Sequence, residues 1–84
     1  MKHAGAAALD ALEPLLAELR AMPGLKEKSR GAFYRRSSAF AHFHEDPAGL
    51  FADLRGESGD FDRFRVENEV ERAAFLSQVR LRLA

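Results

Sequence analysis

The chain contains no cysteine. Disulfides, thiolate nucleophiles and cysteine-ligated zinc or iron–sulfur sites are excluded with it. Small secreted domains usually depend on such staples, so the absence predicts a cytoplasmic protein. There is no surplus of either charge, since 13 basic residues face 13 acidic ones. No global field draws the chain to nucleic acid or an anionic membrane, and any such binding must rest on a local patch. No apolar run approaches the roughly 20 residues of a membrane span. Met1-Lys2-His3 and the alanine-rich Ala4–Ala8 are too weakly apolar for a signal-peptide core, and Asp10 and Glu13 soon break the apolar run. Internal repeats are lacking, as is low complexity beyond those alanines. What remains, 84 residues of which 46% are hydrophobic and 31% charged, suits one globular domain over 1–84. A domain this small buries only about 60% of its unfolded surface, so its core is thin.

Leu9, Leu12, Leu15, Leu16 and Leu19 recur at helical spacing and predict a first helix near Ala6–Met22. Pro14 interrupts it, because proline loses a hydrogen bond and clashes with the preceding turn. Either the regular helix begins with Glu13 as cap and Pro14 in first position, or a longer helix kinks there. Pro23-Gly24 ends it. Leu25–Gly31 is polar and reads as a connector. Its Lys26, Lys28 and Ser29-Arg30-Gly31 lack the glycine spacing of a phosphate loop. The last helix is predicted over Glu69–Leu83, with Asn68 as cap, Glu69 and Glu71 in the first turn and Arg80 and Arg82 at the end. It carries two apolar stripes, one with Phe75, Leu76, Val79 and Leu83, the other with Val70, Ala73, Ala74 and Leu81.

Between the helices lie four predicted strands, Ala32–Arg36, Ala39–Glu45, Leu50–Arg55 and Phe61–Val66. Alternation sorts their residues onto two faces. A core is expected from Leu16, Leu19, Tyr34, Ala41, Phe43, Ala52, Leu54, Phe64 and Val79. The opposite face collects Phe33, Arg35, Phe40, His42, His44, Phe51, Asp53, Arg55, Phe61, Arg63 and Arg65. Turns at Asp46–Gly49 and Gly56–Asp60 set Glu45 against Leu50, Phe43 against Ala52, His42 against Asp53, and Asp53 against Arg63. A two-residue turn at Ser37-Ser38 would set Phe33 against His42 and Arg35 against Phe40.

The row His42–Asp53–Arg63 could orient and activate an imidazole, since an adjacent carboxylate raises its pKa. The plainer reading is a solvated cross-strand ion-pair ladder. No nucleophile or oxyanion loop accompanies it, so no catalytic residue is assigned. His42 and His44 point the same way and could bind a metal with a third ligand from Asp53, Asp46 or the remote His3. Two clear ligands fall short of a zinc set, so no metal and no cofactor are assigned either. The phenylalanines interleaved with Arg35, Arg55, Arg63 and Arg65 suit a contact surface for a second copy or another protein. A nucleic-acid-binding module on the same face is the alternative, with stacked bases and held phosphates. A small-molecule or metal site at His42, His44 and Asp53 is a third.

Gly31-Ala32-Phe33-Tyr34, Ala41-His42-Phe43-His44-Glu45-Asp46 and Leu50-Phe51-Ala52-Asp53 carry a family likeness. The chain resembles small uncharacterised bacterial α+β domains, among them the luciferase-like domain of unknown function. In that family a His-x-His-x-Asp turn precedes a strand bearing an aspartate; its Gly-His start is Ala41-His42 here. The order of elements also resembles the MmcQ/YjbR-like domains, related to double-wing DNA-binding folds. The resemblance implies a fold and no reaction. The predicted architecture is α+β, with a four-stranded antiparallel sheet and N- and C-terminal helices on one face, in the order α-β-β-β-β-α.

Overall fold

The computed structural model describes residues 1–84. It is an α+β fold, but the sheet has six strands and there are three helices. In chain order these are β1 (Lys2–His3), α1 (Ala6–Ala11), α2 (Glu13–Arg20), β2 (Lys26–Ser29), β3 (Ala32–Arg35), β4 (Ser38–Asp46), β5 (Gly49–Arg55), β6 (Phe61–Arg65) and α3 (Glu69–Leu83). Strands β2 to β6 lie side by side in sequence order, and β1 adds to β4. Every pairing is antiparallel.

The four-strand expectation fails at two places. The connector Lys26–Ser29 is an edge strand, Lys26 lying against Tyr34 and Glu27 against Phe33. Its charged residues hid it, and charge is how an edge strand avoids pairing with another chain. β1 has two residues, too few for any alternation. It pairs with the far half of β4, Lys2 against Glu45 and His3 against His44. Two bonds beyond the ladder hold the next residues in place: Ala4 N donates to Phe43 O at 3.0 Å, and Gly5 N to Glu45 Oε2 at 2.6 Å.

The first helix is also divided. Leu12, at φ −92° and ψ 0°, ends α1 and opens α2. Pro14 therefore sits in the first turn of α2, where a missing N–H costs nothing. The last helix has the predicted bounds, and Asn68 Oδ1 accepts from Glu71 N at 2.9 Å.

The core is one cluster of 13 buried residues. Leu12 comes from the α1–α2 junction, Leu15, Leu16 and Leu19 from α2, and Phe75 and Val79 from α3. They meet Ala41, Phe43, Ala52 and Leu54 on one face of the sheet. Each fully buried leucine or phenylalanine contributes about 1.5–3 kcal/mol, so this face supplies most of the stability.

Register at β4–β5 and β5–β6 matches the turns: Glu45 faces Leu50, His42 faces Asp53, and Asp53 faces Arg63. The β3–β4 hairpin does not match. Its turn is Arg36-Ser37, both in the left-handed region (φ +50° and +69°), and Arg35 pairs with Ser38. An irregularity then falls opposite Phe33 and Tyr34, so Phe33 faces Ala41 rather than His42. Phe33 and Phe40 are consequently core residues, 1% and 4% exposed. Tyr34 leaves the predicted core, and Lys28 Nζ lies 4.4 Å over its ring. Arg35 turns to α3, where its guanidinium donates to Arg82 O at 2.9 Å and so caps a helix C-terminus.

Candidate metal centre

The other face of the sheet carries the polar row. On β4, alternation directs His42 and His44 away from Ala41 and Phe43. On β5, Asp53 lies opposite His42, and on β6, Arg63 lies opposite Asp53. β1 adds His3 directly opposite His44.

Three imidazoles therefore converge. One nitrogen from each of His3, His42 and His44 lies within 4.8 Å of the others. The rings of His3 and His44 stack with centroids 4.8 Å apart, and those of His42 and His44 meet edge-on at 4.9 Å. His42 Nδ1 is 3.0 Å from His44 Nε2. The same Nε2 is 3.1 Å from Asp53 Oδ2. Asp53 is pinned from its other side, accepting from Arg63 Nε and Nη2 at 2.8 Å each.

Burial sharpens this geometry. His44 and Asp53 are only 8% and 7% exposed although no helix residue of the core packs on their face. His44 Nδ1 is buried and has no hydrogen-bond partner. Leaving such a group unpaired costs about 1–3 kcal/mol, and in native structures a buried nitrogen of this kind usually meets a protein group, an ordered water or an ion.

The electrostatics leave donors free. Burial lowers the pKa of His42; Asp53 opposes it, while His44, His3 and Arg63 reinforce it. His42 is therefore a neutral imidazole with an available lone pair at neutral pH. Burial raises Asp53, but the hydrogen bonds and charge of Arg63, with His44 and His42, bring it below the usual carboxylate range. The Asp53 carboxylate, paired with Arg63, thus stands beside the histidine nitrogens. The 3.0 Å approach of His42 Nδ1 to His44 Nε2 is a hydrogen bond, and the nitrogen of His44 left without a partner is Nδ1.

The remaining predicted residues divide. Phe51, Arg55, Arg63 and Arg65 stay on this face. Arg55 lies 4.6 Å over the Phe61 ring and donates to Ala39 O and Gly59 O. Phe61 in turn abuts His42, with ring centroids 4.9 Å apart. Phe33, Arg35 and Phe40 belong to the core side, so the aromatic part of the face is reduced to Phe51 and Phe61. Asp46 lies beside the β4–β5 turn, outside the histidine cluster. His3 was within sight of the sequence only as a remote third ligand, because nothing in Lys2-His3 marks a strand. No helix is long and apolar enough to cross a membrane. No protein-family model, curated protein or solved structure matches the chain.

Proposed function

We propose that this protein binds a divalent transition metal ion, of which zinc is the type, through His3, His42 and His44. Asp53 contacts His44 Nε2 at 3.1 Å and is itself held and charge-matched by Arg63. The observation that supports this most is the convergence of three histidines from two strands on His44, whose buried Nδ1 has no partner in the protein. Imidazole donors favour zinc, copper, nickel and iron over calcium or magnesium, which prefer oxygen.

The test is calorimetric titration of zinc into untagged protein near pH 7.5. One ion per chain is expected, with micromolar or tighter affinity. His3→Ala and His42→Ala should each weaken binding at least about tenfold, and acid should release the ion as protons compete for the imidazoles. Binding that is absent, or unchanged in both variants, would overturn the proposal.

A second reading keeps the same face as a protein contact. Phe51 and Phe61, half-buried beside Arg55, Arg63 and Arg65, favour it. Sedimentation of the metal-free protein across a concentration series tests that reading. A monomer at high micromolar concentration contradicts self-association.

A further inference from the structure

The edge of β4 is not continuously covered. β3 pairs with it up to Ala41, β1 begins at His44 and Ala4 N reaches Phe43 O, which leaves His42 as the uncovered position. The gap between these two strands opens a cleft of about 330 Å³. Its volume lies at the lower end of small-ligand sites. His3 and His42 line the cleft, and Leu9, Ala39, Ala41 and Phe43 give it apolar walls. Two of the three proposed metal ligands thus form part of its lining.

We infer that the metal centre is an open one and that its free position takes a small carboxylate whose apolar body, about one ring in size, lies in this cleft. The inference rests on the proposed metal site. Three protein donors leave zinc short of its usual four, and that is the pattern of sites that exchange ligands. Asp53 is already matched by Arg63, so three neutral imidazoles leave the charge of the ion uncompensated and favour an anion as fourth ligand. The cleft itself offers no free cation. Arg30, the one guanidinium on its wall, is held by Asp10 and Glu13 at 2.8 Å each. A carboxylate is therefore recognised through the ion, and its body through the walls. Binding forms one oxygen–metal bond and displaces one water, with no redox step.

The experiment uses cobalt(II) as the metal and follows its visible absorption in untagged protein. Acetate and benzoate are titrated separately into the cobalt-loaded protein, and benzoate also into the metal-free protein. Both acids should shift the cobalt bands, with benzoate binding about tenfold more tightly because its ring is buried. Ala39→Phe, which fills the cleft from a strand position, should abolish that preference and leave cobalt affinity unchanged. Equal affinity for the two acids overturns the inference, as does equal benzoate binding without metal. Cobalt bound through the histidines with no preference between the acids defeats this inference alone. Failure of cobalt to bind defeats the metal site as well.

Discussion

Replacing Phe40 by alanine discriminates sharply between the two faces of the sheet. Phe40 is 4% exposed and belongs to the 13-residue cluster, while Phe51 is half-buried on the histidine face. Truncating a buried phenylalanine costs about 3–5 kcal/mol, part of it for the cavity left behind. Half-burial on the open face corresponds to about 1 kcal/mol for Phe51→Ala. At 0.05–0.15 kcal/mol per residue, a chain of 84 residues has a total stability of roughly 4–13 kcal/mol. Phe40→Ala should therefore leave the protein marginal, and Phe51→Ala should leave it folded. Urea denaturation followed by far-UV circular dichroism gives both values by linear extrapolation. Comparable small losses for the two variants would refute the hairpin register and return Phe40 to the open face.

The turn that sets this register offers an independent check. Arg36 and Ser37 both adopt left-handed backbone, which non-glycine residues reach at a cost of about 1 kcal/mol or more each. The double change Arg36→Asn, Ser37→Gly suits a type I′ turn and should raise stability by about 1 kcal/mol in the same assay; a loss would contradict the turn. Acid should destabilise the metal-free protein in two windows. His42 and Asp53 both titrate below their ordinary values of 6.5 and 3.8 when folded, so the unfolded chain binds protons more readily. Stability is full above pH 6.5. It falls first as pH drops through the lowered His42 value and again as it drops below 3.8 through that of Asp53. Asp53→Asn should remove the second loss and lower the His42 pKa further, both visible by urea melts at stepped pH and by NMR titration. An unchanged His42 titration would sever the pairing.

Long-period signals carried the sequence reading. The leucine stripe, the Asn68 cap and the β4–β5–β6 register all come from residues that repeat or turn at fixed spacing. In β4 and β5 a one-residue slip would expose Phe43 and Leu54, so pattern and register agree. The hairpin at Arg36-Ser37 carries no glycine or asparagine, and its turn lies one residue earlier than the pattern suggests. That shift, with the irregularity between Tyr34 and Phe33, misplaced Phe33, Arg35 and Phe40 together. β2 was hidden because Lys26, Glu27 and Lys28 are charged throughout. β1 was hidden because two residues have no period. The histidine row was legible as His42 and His44 beside Asp53, yet its third member depended on a non-local pairing of β1 that no local pattern announces.

His3, His42 and His44 are proposed to hold one ion together. Anomalous diffraction at the zinc edge, on crystals of the zinc-loaded protein, tests this proposal most directly. A single strong peak per chain is expected, about 2.0–2.1 Å from one nitrogen of each of the three histidines. A peak at Asp46 or on another acidic side chain, or no peak at the cluster, would contradict it.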